Sequence, residues 1–226
     1  MGTECDVRCV RVDELLPDDA TYAAALAALP AWRRRKAGAF RLDADRRRSV
    51  AVWLLLKRML AERGIDADTL SVAENEFGKP QFASRPDIQF GLSHAGDRVM
   101  AAVADSPVGC DVERIEPLDD GVAEECLAPD ELRTAAAIPQ GPSRDRAFCR
   151  LWVRKESYAK ARGLGLSLDL KSFSVLPGRE PKDCSFEDFD FGDGHLGCAV
   201  TFRKEGVTAA VEPLDLPRNV GGIPPL

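Results

Sequence analysis

Two stretches of the chain predict a folded site, Gly109-Cys-Asp-Val-Glu113 and Trp152-Val-Arg-Lys-Glu-Ser-Tyr-Ala-Lys160-Ala-Arg-Gly163. Side chains two apart on a strand project from the same face, so a strand over the first stretch places Asp111 and Glu113 together. Residues four apart on a helix lie one turn apart, so a helix over the second stretch places Glu156 and Lys160 together. If the strand and the helix pack, three carboxylates and one ammonium group converge.

This combination of side chains predicts a metal site for phosphoryl chemistry. A hard divalent cation such as Mg²⁺ prefers oxygen ligands and usually keeps phosphate oxygens in its coordination shell. Each stretch alone is also typical of ordinary structure, since acidic residues at alternating strand positions commonly form a solvated face. A Glu–Lys pair one turn apart is likewise common on amphipathic surface helices. The large aromatic Trp152 beside the charges favours the functional interpretation.

The composition excludes several classes of protein. With 226 residues, 45% of them hydrophobic, the chain is long enough for a sizeable core in one domain or two small ones. Its net charge of −6 argues against general affinity for nucleic acid or anionic membranes. No apolar run approaches the roughly 20 residues that span a membrane, and the N-terminus lacks a signal-peptide core, so we expect a cytoplasmic protein. Seven cysteines without CxxC or zinc-type spacing predict reduced thiols.

Hydrophobic periodicity and turn residues predict an α+β protein. Strands are expected at about 7–12, 70–72, 88–92, 99–104, 108–113, 172–176, 185–191, 196–202 and 207–211. Helices are expected at about 20–29, 31–40, 43–63, 130–137 and 144–162. Three connections are also predicted: a loop at 93–96, an antiparallel hairpin of 99–104 with 108–113 around Asp105-Ser106-Pro107, and a mobile loop at 114–129.

Each half of the chain thus offers helices followed by strands. This order predicts two α+β lobes with a boundary near residues 105–108, an N-terminal lobe of residues 1–107 and a C-terminal lobe of residues 108–226. No low-complexity linker separates the halves, so we expect the lobes to pack closely.

Three further motifs carry weaker signals. Gly78-Lys79-Pro80 is a turn by composition, and its proline presents Lys79 from a rigid corner. Ser93-His94 precedes a glycine and is suited to a small phosphate-binding corner. His195 has no neighbouring hydroxyl residue, and we assign it no role. The basic runs at 33–36 and 46–48 are typical of solvated helix faces, but beside a metal site they are suited to clamping phosphates.

Four of these motifs resemble the signature of the Sfp-type 4′-phosphopantetheinyl transferases: Gly-Lys-Pro, Ser-His, Gly-x-Asp-x-Glu and Trp-x-x-Lys-Glu-x-x-x-Lys-x-x-Gly, in this order. The resemblance extends from about Trp32 to Gly163. The resemblance implies two similar α/β lobes in pseudo-twofold arrangement, with coenzyme A and Mg²⁺, or alternatively Mn²⁺, in the cleft between them. It implies a holo-carrier-protein synthase that transfers the 4′-phosphopantetheine arm of coenzyme A and releases 3′,5′-ADP. The acceptor is then a serine of an apo acyl or peptidyl carrier protein of fatty acid, polyketide or nonribosomal peptide synthesis, including secondary metabolite biosynthesis.

The resemblance also implies roles for individual residues. Asp111, Glu113 and Glu156 are the metal ligands, and Lys160 contacts the pyrophosphate and offsets charge on the leaving 3′,5′-ADP. The other coenzyme contacts are expected at Arg33, Lys36, Arg48, Ser49, Ser93 and His94 for the phosphates, and at Lys79 and Pro80 for adenine. Ala95 stands where many relatives have a second serine, which removes one minor hydrogen bond.

The expected reaction is in-line attack of a serine hydroxyl on the β-phosphorus, so catalysis is mostly positioning and charge neutralisation. The serine proton passes to Glu156 or to a metal-bound water near Glu113. We expect a monomer whose carrier partner docks near residues 114–135. Two alternatives stay open: a Mg²⁺-dependent nucleotide pyrophosphatase that releases 3′,5′-ADP without a carrier, and a non-catalytic carrier-binding module.

Overall fold

Eight strands form the sheets of the part of the chain that the computed structural model describes, residues 5–117 and 119–203. In chain order they are β1 (Cys5–Arg11), β2 (Val72–Glu74), β3 (Pro80–Phe82), β4 (Gln89–Ala95), β5 (Arg98–Ala104), β6 (Val108–Arg114), β7 (Cys184–Asp190) and β8 (His195–Phe202). All pairings are antiparallel, in one sheet of order β1-β5-β4, one of order β6-β8-β7 and a β2-β3 hairpin. The predicted α+β class is confirmed.

Seven α-helices lie among the same residues. They are α1 (Val12–Leu15), α2 (Asp19–Ala28), α3 (Ala31–Gly38), α4 (Asp43–Glu62), α5 (Asp120–Cys126), α6 (Pro129–Ala136) and α7 (Pro142–Arg162), with 3₁₀ turns at Ala67–Thr69, Gly165–Ser167 and Leu170–Ser172. None of these helices combines the length and the apolar composition needed to cross a membrane.

A long helix packs on each three-stranded sheet. Helix α4 buries one apolar face, including Trp53, Leu56 and Met59, against β4 and β5. Helix α7 packs over β6 and β8. In both sheets the strand that comes first in the chain lies at one edge, and the strand that comes last lies in the middle. The two halves therefore share an architecture in which a strand, helices and a hairpin follow one another.

The predicted hairpin of 99–104 with 108–113 is wrong. Strand β5 pairs with β1 and β4, whereas β6 pairs with β8, so the segment 105–107 carries the chain from one sheet to the other. Strand β6 instead passes close to β4, since a Cβ on Gly91 would lie 2.9 Å from the backbone nitrogen of Cys110. Ser93 and His94 were predicted in a loop, but they lie within β4.

Residues 114–129 contain helix α5 and are not the predicted loop. Asp119 caps this helix, because its Oδ1 accepts hydrogen bonds from the backbone nitrogens of Gly121 and Val122. The strand predicted at 172–176 is absent from the described residues because side chains hold its backbone: Glu131 accepts from Val175 N, and Lys155 donates to Phe173 O. Strand β3 was not predicted, and the strand expected at 207–211 lies outside the described residues.

Candidate active site

Helix α7 lies directly against strand β6, as the site prediction requires. The contact is so close that a Cβ on Gly109 would lie 2.3 Å from both Ala161 N and Ser157 O. Ser157 adds a hydrogen bond of 2.8 Å from its Oγ to the Cys198 carbonyl on β8. Glycine at 109 and serine at 157 therefore set how closely the helix approaches the sheet.

Asp111 is the centre of the site. It lies on β6 and is only 2% exposed. Its Oδ1 accepts a hydrogen bond of 2.7 Å from Ser93 Oγ on β4 and one of 2.5 Å from Lys160 Nζ on α7. Lys160 Nζ also lies 3.3 Å from Ser93 Oγ. Three predicted site residues from three elements thus meet at one carboxylate oxygen.

The second oxygen of Asp111 has no partner among the described residues. Its Oδ2 is buried and accepts no hydrogen bond within that part of the chain. A buried charged oxygen without a partner is costly, because it has lost its hydration without compensation. A cation at this oxygen would supply that compensation.

The neighbouring carboxylates have raised pKa values. Burial, with the nearby charge of Asp111, raises the pKa of Glu113 to about 7, against the smaller effects of Lys160 and a hydrogen bond from the Trp152 side chain. Burial also raises the pKa of Glu156; Asp111 adds to this and Lys160 opposes it. Two half-buried acids beside a third are the arrangement that a divalent cation would stabilise in the charged form.

Lys160 balances part of this negative charge. Burial lowers the pKa of its ammonium group, but the charge and hydrogen bond of Asp111 outweigh that effect and hold the pKa above its ordinary value. The side chain is 34% exposed, so the ammonium remains accessible at the edge of the site. A protonated lysine here is suited to binding a phosphate oxygen.

The ligand atoms of Asp111, Glu113 and Glu156 do not all lie within 4.8 Å of one another. Among the described residues, Asp97, Asp193 and His195 form the group of acidic and imidazole side chains whose ligand atoms all lie within 4.8 Å. That group lies at the β4–β5 and β7–β8 turns. Its carboxylates already pair with arginines, Asp97 with Arg11 and Asp193 with Arg98, each at 2.7 Å.

A basic surface adjoins the Asp111 cluster. Burial, followed by the positive charge of Arg48, lowers the pKa of His94, and Lys160 and Arg33 add to the effect. His94 also packs edge-on against Phe40, with ring centroids 6.3 Å apart. Arg48 donates a hydrogen bond of 2.6 Å to the Gly96 carbonyl and pairs with Asp45. The predicted histidine and arginine thus lie in one electropositive region.

The other predicted phosphate contacts are distributed differently. Arg33 is 5% exposed and Ser49 is 1% exposed. Arg33 Nη2 donates a hydrogen bond of 2.7 Å to the Ser49 carbonyl, and its guanidinium lies 5.4 Å from the Trp53 ring centroid. Burial lowers the pKa of Arg33 to about 10. Lys36 is exposed, with its Nζ 3.4 Å from a carboxylate oxygen of Glu74. Arg33 and Ser49 therefore belong to the packed contact between α3 and α4.

The two predicted adenine contacts lie at the β2–β3 hairpin. Pro80 begins β3 and is half-buried. The ammonium of Lys79 donates to two backbone carbonyls, Val108 O at 3.0 Å and Ala161 O at 3.2 Å. Burial lowers the pKa of Lys79 to about 8. The structure thus directs this side chain toward β6 and α7.

Sequence reasoning missed a buried ion pair beneath the site. Lys155 and Glu131 are both fully buried, with Nζ 2.8 Å from Oε2. Lys155 also donates to the carbonyls of Leu170 and Phe173 at 2.6 and 2.8 Å. Its only signal in the sequence was its place beside Glu156 in the helix motif, and nothing pointed to Glu131.

Comparison with known proteins identifies the family. A family model described as "4'-phosphopantetheinyl transferase superfamily" matches residues 107–210, and one described as "4'-phosphopantetheinyl transferase, N-terminal" matches residues 14–106. A 4'-phosphopantetheinyl transferase of Bacillus subtilis is 33% identical over 176 residues, covering 77% of this chain and 76% of the relative.

Two other relatives support the same assignment. The 4'-phosphopantetheinyl transferase Sfp of Bacillus subtilis (strain 168) is 31% identical over 144 residues, covering 63% of this chain and 64% of the relative. The L-aminoadipate-semialdehyde dehydrogenase-phosphopantetheinyl transferase of Rattus norvegicus is 25% identical over 222 residues, covering 84% of this chain and 72% of the relative. The chain therefore belongs to the 4'-phosphopantetheinyl transferase superfamily, a family of transferase enzymes.

Proposed function

We propose that this protein transfers the 4′-phosphopantetheine arm of coenzyme A to a serine of an apo carrier protein and releases 3′,5′-ADP. The observation that carries the proposal is the meeting of Ser93, Asp111 and Lys160 from three elements, with one buried Asp111 oxygen unpartnered among the described residues. Family membership supports the reaction class, and we propose that the transfer takes place at this junction.

The residues present are suited to holding Mg²⁺, with Mn²⁺ as the alternative. All the candidate ligands are carboxylate oxygens, the type that hard cations prefer, on Asp111, Glu113 and Glu156. The unpartnered Asp111 Oδ2 and the raised pKa values of the two glutamates are features that a bound cation would relieve. Once bound, the cation supplies neutralisation of charge on the pyrophosphate.

The chain's own side chains then hold the substrate in position. Lys160 contacts the pyrophosphate and offsets the charge that develops on the leaving 3′,5′-ADP. Arg48 and His94 border the electropositive side of the cluster and offer further phosphate contacts, and we assign the exposed Lys36 the same role. Arg33 and Ser49 are buried between α3 and α4. We therefore propose that they contact a phosphate only if these two helices move apart.

Glu156 is our candidate for accepting the proton of the attacking serine. It lies on α7 one turn before Lys160 and is half-buried. Its ionised form, which a bound cation would favour, is the form that can accept a proton. Glu113 is the second candidate, acting through water.

We propose that the coenzyme lies between two lobes, residues 1–107 and 108–226. Ser93 and His94 come from the first sheet, while the carboxylates and Lys160 come from β6 and α7. A substrate bound by both sets of groups spans the junction of the two sheets. The protein is proposed to act in the cytoplasm as a monomer.

The carrier protein is proposed to dock beside α5 and α6. Val122 on α5 is 45% exposed, and a groove of about 580 Å³ lies beside α6. Its lining includes Arg133, Leu176 and Pro177, together with Arg179, which pairs with Asp130 at 3.0 Å. Cationic and apolar side chains together are suited to an acidic helix with an apolar patch. We propose a carrier of fatty acid, polyketide or nonribosomal peptide synthesis.

One assay separates the proposal from its two alternatives. The full chain is incubated with coenzyme A, Mg²⁺ and each of several apo carriers, and both 3′,5′-ADP and holo carrier are quantified. Transfer predicts equal amounts of the two products and no 3′,5′-ADP without a carrier. Release of 3′,5′-ADP without a carrier identifies a pyrophosphatase, and carrier binding without either product identifies a non-catalytic module.

A further inference from the structure

The turn between β2 and β3 contacts the last turn of helix α7. Asn75 Nδ2 donates a hydrogen bond of 2.7 Å to the Gly163 carbonyl. Lys79 Nζ donates to Ala161 O on the helix and also to Val108 O, the first residue of β6. Two side chains of one turn in the N-terminal half thus hold the end of a helix in the C-terminal half.

Asn75 also builds the turn from which these contacts are made. Its Oδ1 accepts hydrogen bonds from the backbone nitrogens of Phe77 at 3.0 Å and Lys79 at 2.9 Å. Its backbone nitrogen donates a hydrogen bond of 2.9 Å to the Lys79 carbonyl, and Gly78 has a positive φ of 83°. The two ends of the Asn75 amide therefore act separately, since the oxygen orders the turn and the nitrogen holds Gly163.

The approach of the turn to the helix leaves little room for a side chain at 163. Gly163 ends the helix with φ +67°, and a Cβ there would lie 3.1 Å from both Asn75 Nδ2 and Lys79 Cδ. The Gly-Lys-Pro motif and the glycine that closes the helix motif are therefore in direct contact. This contact gives a physical reason for both motifs to occur in one chain.

The contacts satisfy groups that a helix end leaves unpaired. The last carbonyls of a helix have no partner within it and carry the negative end of its dipole. An ammonium and an amide N–H at these carbonyls supply both hydrogen bonds and favourable charge. Because Lys79 also binds Val108 O, one ammonium joins the helix that carries Glu156 and Lys160 to the strand that carries Asp111 and Glu113.

We propose that Asn75 and Lys79 are positioning residues that fix helix α7 against strand β6, and thereby set the spacing of the carboxylates that bind the metal. Both side chains donate to backbone carbonyls, and none of these hydrogen bonds involves a side chain of the Asp111 cluster. The proposal rests on the proposed function only in taking this cluster as the metal and transfer site. It differs from the adenine-contact role expected for Lys79, which would affect coenzyme binding instead.

Two variants of the full chain test the proposal. Asn75→Asp keeps the oxygen that orders the turn but replaces the donor to Gly163 with a second oxygen. Lys79→Met keeps the length of the side chain and removes its donor. Lys182→Met is the matched control, since Lys182 is exposed at the surface. The readouts are Mn²⁺ affinity by electron paramagnetic resonance, coenzyme A affinity without metal by calorimetry, and kcat with an apo carrier.

Both variants are expected to weaken Mn²⁺ binding about 10-fold or more and to lower kcat about 100-fold. Coenzyme A affinity without metal should change less than about twofold, and the double variant should lose little beyond either single one. The control should match the wild type. Weaker coenzyme A binding with unchanged kcat and Mn²⁺ affinity would overturn the proposal in favour of an adenine contact.

Hydrogen exchange keeps the test independent of the proposed function. We call the contacts of Asn75 and Lys79 with the end of α7 the clamp. If the wild type transfers nothing to any carrier, the clamp still predicts faster exchange of the amides at 160–163 in both variants than in the control. Unchanged exchange there, in variants that remain folded by circular dichroism, would contradict the clamp. Faster exchange without transfer by the wild type would refute only the transferase activity.

Discussion

At the level of single residues, the buried carboxylate of Asp111 determines what the site can bind. One oxygen is held by Ser93 and Lys160, and the other is buried without a partner among the residues that the structure describes. The first two contacts fix the direction of the carboxylate, and we propose that the second oxygen binds a cation. A neutral amide at this position would keep the fold but remove the charge.

Lys79 should make stability depend on pH. Its pKa in the folded chain is lowered by burial from 10.5 to about 8. Between pH 8 and 10.5 the unfolded chain keeps a proton that the folded chain has lost, so the folded state gains stability as pH rises. Below about pH 8 both states carry the charge, and the cost of burying it is present in full.

Urea denaturation of the wild type and Lys79→Met at several pH values between about 7 and 10.5 measures this effect. The free energy of unfolding of the wild type should rise relative to that of the variant as pH increases through about 8. Comparison with the variant cancels the contributions of other titrating lysines and cysteines. Parallel curves over the whole range would show that the Lys79 pKa is not lowered.

The sequence predicted which candidate site residues share an element and a face, but not which of them are buried. The two-residue and four-residue spacings correctly placed Asp111 with Glu113 and Glu156 with Lys160, because these periods are properties of strands and helices. The burial of Arg33 was not predictable, since a run of four basic residues gives no sign of which one turns toward Trp53. Asn75 was missed because its partner, Gly163, is distant in the sequence.

At the level of elements, the Lys155–Glu131 pair joins α6, α7 and the segment 170–175. Glu131 accepts from the backbone nitrogens of Ala128 and Val175, so it caps α6 and fixes the segment at the same time. The ammonium group of Lys155 lies 4.3 Å from the Phe173 ring centroid. These buried charges are surrounded by donors and acceptors, which is the condition under which such pairs are tolerated.

Removing one member of this pair should be strongly destabilising. Lys155→Met leaves Glu131 charged and buried, at an expected cost of about 3–5 kcal/mol in the free energy of unfolding. Adding Glu131→Gln removes that charge and should recover about 1 kcal/mol or more. Urea denaturation of the single and double variants measures both values. A single variant as stable as the wild type would show that the pair is not the structural link described above.

Substitution of Gly109 by alanine tests how closely β6 packs against α7. The Cβ of an alanine there would meet backbone atoms of Ala161 and Ser157, which cannot move aside as a flexible side chain can. Gly109→Ala should therefore cost about 1–3 kcal/mol of stability and lower the transfer rate about 100-fold by displacing the helix.

Gly38→Ala is the control for this substitution, since no atom of the described residues beyond its own stretch of helix lies within 4 Å of its Cβ position. Thermal unfolding and transfer rates of both variants should be compared. If Gly109→Ala behaves like Gly38→Ala, the strand and helix do not depend on this close approach.

The long elements were predicted well, and the short ones were not. Helices α4 and α7 lie close to their predicted positions because their apolar periodicity extends over several turns. Helix α5 was missed because seven residues show little periodicity, although Asp119 was a capping signal. Strand β3 starts at Pro80, a residue that argues against a strand unless it lies at an edge.

At the level of the whole molecule, the two halves are joined at several separate places. The β4–β5 and β7–β8 turns meet where Arg98 pairs with Asp193. Ser93 reaches Asp111 between the sheets, and the β2–β3 turn holds the end of α7. The site therefore depends on both halves. Sequence patterns predicted the long helices and most strands of each half, but not the pairing of β6 with β8. Residues 99–104 and 108–113 both have strand patterns and are separated by a short turn, so a hairpin between them was an equally reasonable prediction.

The ion pair between the hairpin turns should make a small, measurable contribution. The side chains of Arg98 and Asp193 are 14% and 32% exposed, and Asp193 Oδ1 also accepts a hydrogen bond from His195 N. Asp193→Ala should therefore cost about 1 kcal/mol in the free energy of unfolding. Asp87→Ala is the control, because its partner Arg85 lies two residues away in the same turn. Urea denaturation should place the control within about 0.5 kcal/mol of the wild type. If Asp193→Ala and Asp87→Ala lower the free energy of unfolding equally, the contact between the turns does not contribute to stability.

Carrier modification at the Asp111 site is tested by the intact mass of apo carriers after incubation with coenzyme A, Mg²⁺ and either the wild type or Asp111→Asn. We predict that the wild type adds the mass of one phosphopantetheine group to at least one carrier. Asp111→Asn, which keeps an acceptor for Ser93 and Lys160 but loses the charge, should slow this about 100-fold or more. An unchanged rate with Asp111→Asn, or no added mass on any of several carriers with the wild type, would contradict the proposed transfer at this site.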